Sequence, residues 1–238
     1  EIKSRIKLSD KSLPFRDKKY DYWTKTTTKS NYFIKLRKKI GSQKEEVIWN
    51  GDKEKLKLNT SYFGLGDISI SNNDKYMAYS LDTKGSEYYT INFRNLSTGK
   101  DLKDKINNTT GSITFTYDNK HIFYCSLDKN HRSKKVFLHK LGDDQKKDKL
   151  IFSEKIDRFS VSIHTTSDEK YYIISSGDHS SNKCYYISSK SMLKRPKIFL
   201  DLKEGITYSL DSWDNHFYLH TNYKAENFKI MRCKHGTK

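Results

Sequence analysis

The sequence predicts an all-β protein made of a repeated unit of antiparallel strands, and three observations lead to this prediction. The 238 residues include 17 Tyr and 12 Phe, residue types that favour strands. No useful length of chain carries apolar residues at the spacing of an amphipathic helix. A pattern of strands and turns recurs along the chain, and a period of roughly 20–50 residues is the mark of a repeat architecture.

The clearest copy of the unit runs from residue 67 to residue 102. Its apolar runs predict strands at Ile68–Ser71, Lys75–Asp82 and Tyr88–Asn95. An Asn-Asn-Asp turn follows the first run, a glycine-containing loop follows the second, and Ser-Thr-Gly closes the third. Because Asn, Asp and Gly accept the backbone angles of tight turns, this order predicts strands joined as antiparallel hairpins.

The same order of strands and turns returns along the chain. Further copies start at Leu13 (the loosest), Ser112, Phe159 and Ile206. The copy from Ser112 includes strands at Lys135–Lys140 and Lys149–Phe152, whereas the copy from Ile206 stops after its third strand at Cys233. From residue 67 onward the starts are about 46 residues apart, which is the size of one four-stranded β-propeller blade.

We therefore predict a partial, open β-propeller of about five four-stranded antiparallel blades, with the last one incomplete. We expect a leading segment at 1–12 and the propeller at 13–238. A β-sandwich also supplies strands at short intervals, but it would not repeat them in groups of four. One helix-prone stretch, Asp52–Leu58, lies between two units. Since propellers close rings of roughly 4–8 blades, we expect both ends of the chain to be cut ends of a larger ring.

The chain is strongly basic, with a formal net charge of +17. Its 46 basic residues are 38 Lys and 8 Arg. A lysine-rich surface attracts nucleic acid without specificity, whereas specific readers of phosphate and bases use the flat fork of arginine. Two explanations stay open: an A/T-rich coding sequence that drifts toward lysine, and a selected anion-binding surface. The lysine bias favours the first and argues against nucleic acid as the partner.

Several classes of protein are excluded by what the sequence lacks. No stretch reaches the roughly 18 apolar residues of a membrane span, and there is no secretory signal at the start. Cys125, Cys184 and Cys233 are too far apart for a disulfide framework, and no Cys-x-x-Cys pair or histidine cluster has metal-ligand spacing. We expect a cytoplasmic protein with reduced cysteines, no membrane partner, no metal and no cofactor.

The sequence predicts no catalytic residue. The nucleophile elbow Gly-x-Ser-x-Gly places a serine on a strained turn, and this spacing does not occur among the 11 glycines. Gly64-Leu-Gly66 lacks the third glycine and the lysine of a phosphate-binding loop, so we interpret it as a loop that enters a blade. His164 and His220 lie on predicted strands with no nucleophile and acid beside them, which favours a structural role.

Recurring polar and aromatic residues are better explained by the repeat than by chemistry. Asp82 and Asp128 end corresponding strands, where a carboxylate accepts hydrogen bonds from the backbone of the following turn. Trp23, Trp49 and Trp213 are interpreted as packing residues between blades rather than as platforms on which a ligand stacks.

Two long segments carry a resemblance to a known family. Ser61–Leu102 contains Ala78-Tyr79-Ser80, Asp82, Gly85, Glu87 and Tyr89-Thr90 in the order of that family's second blade. Ile122–Ser176 is similar to its next two blades, and the register continues to Asn222. Over nearly its whole length, the chain thus resembles the N-terminal propeller of the prolyl oligopeptidase family of serine peptidases, and most of all the oligopeptidase B branch.

The resemblance implies a function. In that family a seven-bladed propeller caps an α/β-hydrolase domain with a Ser-His-Asp triad, and it admits short peptides while excluding folded proteins. Enzymes of the oligopeptidase B branch cleave after Lys or Arg. This chain departs from the pattern because it lacks the leading helical segment, the last blades and the hydrolase domain. We therefore expect a propeller that gates the access of substrate, docks a hydrolase domain and is inactive alone. An arrangement in which the hydrolase domain lies on a separate chain stays open.

A second hypothesis from a different class stays open. A stand-alone basic propeller fragment would bind an anionic partner such as RNA through its lysine-rich face. The family resemblance favours the first hypothesis, in which short basic peptides are the substrates.

Overall fold

The computed structural model describes residues 3–201 and 203–237, and strands dominate its regular elements. The strands are β1 (Asp10–Lys11), β2 (Phe15–Asp17), β3 (Tyr20–Thr26), β4 (Ile34–Lys39), β5 (Glu45–Asn50), β6 (Gly64–Ile70), β7 (Tyr76–Asp82), β8 (Tyr89–Asn95), β9 (Lys100–Thr109), β10 (Thr114–Phe115), β11 (His121–Leu127), β12 (Ser133–Lys140), β13 (Lys149–Ser153), β14 (Ser160–Thr165), β15 (Tyr171–Gly177), β16 (Asn182–Ser188), β17 (Lys197–Ile198), β18 (Tyr208–Trp213), β19 (His216–Thr221) and β20 (Lys229–Lys234). An α-helix, α1, spans Gly51–Leu58, and short 3-10 turns lie at Lys3–Arg5 and Gln145–Lys147.

The strands form five consecutive antiparallel units, which we call blades A to E. In blade A, β1 and β2 both pair with β3 and together form the first strand, followed by β4 and β5. Blades B, C and D contain β6–β9, β10–β13 and β14–β17. Blade E contains β18–β20, which are three strands in the described part of the chain. The predicted all-β class, the partial propeller and its five repeated units are confirmed.

The first blade begins slightly earlier than the repeat indicated. Asp10 pairs with Thr26 and Lys11 pairs with Lys25, so the ladder of blade A starts ahead of the expected boundary at Leu13. These pairs were hard to foresee because the first strand of this blade is split into two short pieces.

Helix α1 confirms the helix-prone stretch predicted at Asp52–Leu58. Its N-cap is Asn50, whose side chain accepts a hydrogen bond from the Lys53 backbone N–H at 3.1 Å. Asn59 ends the helix in a left-handed conformation with φ of 47°. Asparagine is among the residues that tolerate both positions, which explains why so short a helix has clear ends.

The interpretation of Gly64-Leu-Gly66 as an entering loop is wrong, because both glycines lie inside β6. The strand is irregular at this point, with a shift in register between Leu65 and Ile68. A Cβ atom on Gly66 would lie 2.8 Å from the ring of Tyr89. It would also lie 2.6 Å from Ser80 Oγ on the neighbouring strand β7. The glycine therefore leaves room for these two side chains, which is a structural role that a glycine inside a strand often has.

Apolar side chains are buried between neighbouring blades. Successive residues of a strand point to opposite faces of its sheet, and β11 shows the consequence. Ile122 and Tyr124 pack toward blade B, while Phe123 between them packs toward blade D. On β15, Ile173 packs toward blade E and Ile174 toward blade C. Both faces of the middle blades are thus apolar, so their second strands are nearly continuous apolar runs.

Blades B and C are joined more closely than the other neighbours. Thr109 at the end of β9 pairs with Ser126 of β11. The Thr110 backbone N–H also donates to the carbonyl of Cys125 at 3.0 Å. The two blades therefore form one continuous eight-stranded sheet.

Candidate functional site

Each blade passes from its first to its second strand through a tight turn, and we call these five turns the turn belt. The belt consists of residues 18–19, 71–75, 116–120, 166–170 and 214–215. Every one of these turns contains a non-glycine residue with a positive φ. The Asn- and Asp-rich turns that recur in the sequence are therefore one structural feature repeated around the ring.

Hydrogen bonds along the turn belt connect the first three blades. The Tyr22 hydroxyl of blade A donates to Asp74 Oδ1 of blade B at 3.1 Å, and Arg37 Nη1 donates to the Asp74 carbonyl at 2.9 Å. Burial, with a contribution from the Asp74 carboxylate, raises the pKa of Tyr22, so its hydroxyl stays a donor at ordinary pH. The Asn73 backbone N–H of blade B donates to Asn119 Oδ1 of blade C at 2.7 Å.

The belt continues across the remaining blades. The Tyr117 backbone N–H of blade C donates to the Tyr172 hydroxyl of blade D at 2.8 Å. The Ser167 backbone N–H of blade D donates to Asp211 Oδ1 of blade E at 2.7 Å. The spacing of the blades at this edge is therefore set by directional bonds in addition to the apolar core.

Four of the five turns, those of blades A to D, contribute to the lining of a cleft of about 350 Å³. The cleft lies between the first strands of blades B, C and D and the β2–β3 turn of blade A. Its lining includes Lys18, Asn72, Thr114, His164 and Glu169. We call the opening of this cleft the channel mouth, because in a propeller the first strands of the blades surround the central channel.

A single side chain spans the channel mouth. Lys18 Nζ of blade A lies 2.9 Å from Glu169 Oε1 of blade D and also donates to Asn72 Oδ1 of blade B. The side chains of Lys18 and Glu169 are 27% and 40% exposed. Three blades are thus connected through one ammonium group that remains accessible to water.

Carboxylates organise the loops at the opposite edge of the blades. Asp82 accepts from the backbone N–H groups of Lys84 and Gly85 at 2.8 and 3.0 Å. Asp128 accepts from the N–H groups of Asn130 and Arg132 at 2.8 and 3.0 Å. The turn-capping role predicted for both aspartates is confirmed.

Asp178 has the same capping role in blade D, although it was not predicted from the sequence. Its carboxylate accepts from the backbone N–H groups of Ser180 and Ser181 at 2.9 Å each. The Ser180 N–H is the main reason that the pKa of Asp178 is lowered to about 2. Its place at the end of the second strand, like that of Asp82 and Asp128, was the available signal.

The two histidines singled out in the sequence are both exposed. They contribute to one groove between blades D and E. His164 Nε2 lies 3.4 Å from the carbonyl of Leu210, and His220 stacks on Phe228 with 4.9 Å between ring centres. Within the described residues, neither ring makes a hydrogen bond to a serine hydroxyl or a carboxylate, which a catalytic base would need.

A serine, a histidine and an aspartate do meet elsewhere in the structure. The buried Ser212 hydroxyl donates to Asp168 Oδ2 at 2.9 Å and lies 2.9 Å from His235 Nε2. Because the hydroxyl hydrogen goes to Asp168, the hydroxyl oxygen accepts from the imidazole N–H. This order is the reverse of a catalytic triad, in which the histidine accepts the serine proton.

Another histidine is held between two carboxylates at the junction of blades B and C. His139 Nδ1 lies 2.7 Å from Asp148 Oδ1, and His139 Nε2 lies 3.3 Å from Asp104 Oδ2. Burial alone would lower the pKa of His139, but the hydrogen bonds to Asp104 and Asp148 raise it to about 9. Burial acts to raise the pKa of Asp104, but the hydrogen bonds from His139 and the Gly142 N–H outweigh this effect. The pKa of Asp104 is therefore lowered from its ordinary value. The group is a charged structural cluster without a nucleophile.

Two of the three tryptophans are packing residues, as predicted. Trp23 and Trp49 are only 4% and 1% exposed. Trp213 is 59% exposed, on a face of blade E that no other blade in the described part of the chain covers, so its packing role stays a prediction. Trp213 follows Ser212 on β18, so its side chain points to the face opposite the one that bonds Asp168 of blade D.

Other expected features concern metals, membranes and thiols. Between residues 3 and 237, leaving out 202, no group of three His, Cys, Asp or Glu side chains could hold a metal ion. The same residues contain no helix that is both long and apolar enough to cross a membrane. All three cysteines are free thiols, with Cys125 and Cys184 buried.

The fold and the channel mouth define the class of protein. It is an antiparallel β-propeller portion in which the first strands of three blades line a polar cleft. The chain matches the family model for the prolyl oligopeptidase N-terminal β-propeller domain over residues 1–238, and it belongs to that family.

Curated relatives agree with this assignment. The chain is 27% identical over 237 residues to Protease 2 of Moraxella lacunata, covering 96% of this chain and 34% of that protein. It is 28% identical over 249 residues to dipeptidyl aminopeptidase BI of Pseudoxanthomonas mexicana, covering 97% and 34%. The chain therefore spans about a third of the length of these relatives.

Solved structures show the same fold. Oligopeptidase B from Leishmania major superposes with a TM-score of 0.93 at 23% identity, covering 99% of this chain and 34% of that one. Oligopeptidase B from Trypanosoma brucei, solved with covalently bound antipain in a closed form, gives a TM-score of 0.88 at 23% identity over the same shares.

Proposed function

We propose that this chain is the channel-forming propeller portion of a serine-type oligopeptidase of the oligopeptidase B kind. The observation that carries the proposal is the family match over the whole chain, combined with the similarity to Protease 2. The relatives are about three times as long, which supports a hydrolase domain as the partner of this portion. In this proposal the enzyme acts on short peptides and cleaves after Lys or Arg in the cytoplasm, where its three free thiols would stay reduced.

The channel mouth supports a role in limiting substrate size. A cleft of about 350 Å³ holds a few side chains of an extended peptide, whereas a folded domain is far larger. The Lys18 side chain also crosses this opening. A peptide that reaches a hydrolase domain through the channel must therefore be short or unfolded, and it must pass a charged constriction.

We also propose that the chain is inactive by itself. The Ser212 hydroxyl, which meets a histidine, donates its proton to Asp168 and is buried. Incubation of the 238-residue chain with a fluorogenic Arg dipeptide should give no turnover, and a serine-directed phosphonate should not label it. Turnover together with covalent labelling of this chain would overturn its assignment as a non-catalytic portion.

Substrate choice is tested on an enzyme that contains this propeller portion together with the proposed hydrolase domain. Fluorogenic dipeptides with Arg, Lys or Pro before the cleaved bond should be hydrolysed with a strong preference for Arg and Lys. A preference for Pro would instead place the enzyme with the prolyl endopeptidases, to which the chain is also similar. Cleavage of a folded protein at a rate comparable to a short peptide of the same sequence would contradict the size limit.

A further inference from the structure

The turn belt contains two residues that its backbone geometry does not favour. Three turns place Asp74, Asn119 and Asn215 in the left-handed region, with φ values of 60°, 60° and 61°. In the other two turns, the positive φ belongs to Lys18 at 50° and to Glu169 at 57°. Asn and Asp are enriched in this region several-fold over other side chains, so Lys and Glu are poor choices for it.

The two unfavoured residues are the ones that meet across the channel mouth. Lys18 belongs to blade A and Glu169 to blade D, and their charged groups are 2.9 Å apart. Residues held in sparsely populated backbone regions concentrate at clamps and switches, where another interaction compensates for the strain. Within its own turn, the Asn119 side chain donates to the Tyr117 carbonyl at 3.0 Å, whereas the charged groups of Lys18 and Glu169 meet each other across the opening.

The surrounding charges leave this pairing unambiguous. Lys170, which follows Glu169, is committed to Asn215 Oδ1 at 3.0 Å and to Asp168 Oδ2 at 3.6 Å. Asn72 is neutral and adds a second acceptor for Lys18. Glu169 therefore has Lys18 as its cationic partner, and the contact connects blades A and D across the opening.

We propose that Lys18 and Glu169 form a latch that narrows the channel mouth, and that a basic side chain of an arriving peptide releases it by replacing Lys18 at Glu169. An exposed ion pair is weak and is screened by salt, so it can exchange partners readily. A lysine or arginine of a peptide carries the same charge as Lys18 and fits the same carboxylate. The peptide-driven release rests on the proposed peptidase function, whereas the latch is a property of this chain alone.

The latch is tested by measuring the distance between blades A and D in the full 238-residue chain. Spin labels are attached through Lys39→Cys and Lys190→Cys, two exposed positions, in a Cys233→Ser background that retains the two buried cysteines. Lys18→Met and Glu169→Gln should each shift the distance distribution to longer values and broaden it at low salt. Lys19→Met, an exposed neighbour, should leave it unchanged.

The charge-swapped double variant Lys18→Glu/Glu169→Lys provides the decisive control. It should restore the narrow distribution, because the pair is rebuilt with opposite polarity. Unfolding curves in urea confirm that each variant is folded. Identical distributions for the parent chain and the single variants would overturn the latch, and so would a double variant that stays broad.

A second experiment adds a peptide to the spin-labelled chain and tests whether a basic side chain releases the latch. A tripeptide with a central Lys should shift the parent chain to the longer distances, and the same peptide with norleucine should not. An equal response to both peptides, or to neither, would overturn release by a basic side chain. The comparison of single and double variants involves no peptide and no catalysis, so it stands even where the peptidase assignment fails.

Discussion

Two ion pairs in this molecule each join a basic side chain to a glutamate, but they differ in how far they are buried. Arg94 of blade B makes two parallel hydrogen bonds to Glu54 of helix α1 at 2.9 and 3.0 Å, and both side chains are under 10% exposed. Lys18 and Glu169 at the channel mouth are 27% and 40% exposed. The first contact is largely shielded from water and salt, while the second is open to both. Burial thus decides which ion pair is a permanent part of the fold and which is free to exchange.

The Arg94 cluster is held from several sides. Arg94 Nε lies 2.6 Å from Asp101 Oδ1, and the guanidinium lies 5.2 Å from the ring centre of Tyr79. Burial works to lower the pKa of Arg94, but the hydrogen bonds to Asp101 and Glu54 raise it above its usual value. The helix is thereby fixed to the outer strands of blade B.

The largest effect is expected from breaking the buried pair. Arg94→Met should lower the free energy of unfolding by up to about 3–5 kcal/mol, because the buried Glu54 carboxylate then keeps only the exposed Lys57 ammonium, 3.2 Å away, as its cation. Urea unfolding followed by circular dichroism measures the change. Arg195→Met, at an exposed position, is the matched control and should change stability by less than about 0.5 kcal/mol.

The double variant Arg94→Met/Glu54→Gln sharpens this prediction. It should recover a large part of the lost stability, because it removes the buried Glu54 charge that Arg94 paired with. An Arg94→Met protein as stable as the parent chain would mean that the buried contact is no more structural than the exposed one.

A pH effect of intermediate size is expected at His139. Its pKa is raised to about 9 in the folded chain and is about 6.5 when unfolded. The contribution to stability is therefore complete below about pH 6.5 and is lost as the pH rises through 9, for a total of roughly 3 kcal/mol. Unfolding free energies measured from pH 6 to 10 should fall accordingly.

His139→Gln should remove this part of the pH dependence, since glutamine does not titrate. The variant is expected to be less stable at pH 6, because Asp104 and Asp148 lose their cation. Its profile between pH 6.5 and 9 should be flatter than that of the parent chain. Equal slopes would show that His139 is not the group responsible.

A small effect on stability is expected at the channel mouth. Lys18→Met should lower the free energy of unfolding by less than about 1 kcal/mol at low salt, in the range measured for exposed ion pairs. In about 1 M NaCl the difference should vanish because the parent pair is screened. Lys19→Met serves as the control at both salt concentrations. A loss of several kcal/mol that persists in salt would place Lys18 in the same class as Arg94.

The smallest effect is expected for RNA. Lys103, Lys105 and Lys146 line a cleft of about 470 Å³, but Asp143 and Asp144 line it too. Alternating signs of charge give phosphates no continuous track. Titration of a labelled RNA at about 50 mM salt should show no saturable binding. Binding at 50 mM that falls steeply by 200 mM would favour the alternative of a stand-alone anion-binding propeller.

The blades could be predicted from the sequence because each one is encoded locally. Turn residues and alternating apolar residues recur within about 46 residues, and helix α1 is framed by Asn50 and Asn59. Asp82 and Asp128 were assigned correctly for the same reason, since their partners lie within five residues.

The channel mouth could not be predicted, because it depends on the curvature of the ring. Lys18 and Glu169 are 151 residues apart in sequence, and nothing in either turn specifies the other. The exposure of Trp213 has a related cause, since it depends on which face of β18 meets blade D. The available signal was a comparison among turns, in which Lys18 and Glu169 stand where other blades use Asn or Asp.

The continuous sheet of blades B and C has a mechanical consequence. Thr109 pairs with Ser126 across their boundary, and His139 binds Asp104 and Asp148 from the two sides. The shared sheet adds backbone hydrogen bonds to the apolar contacts at this boundary, so we expect a change in the width of the ring to occur at another boundary between blades. Blades A and D lie on either side of this double unit, and the Lys18 to Glu169 contact connects them.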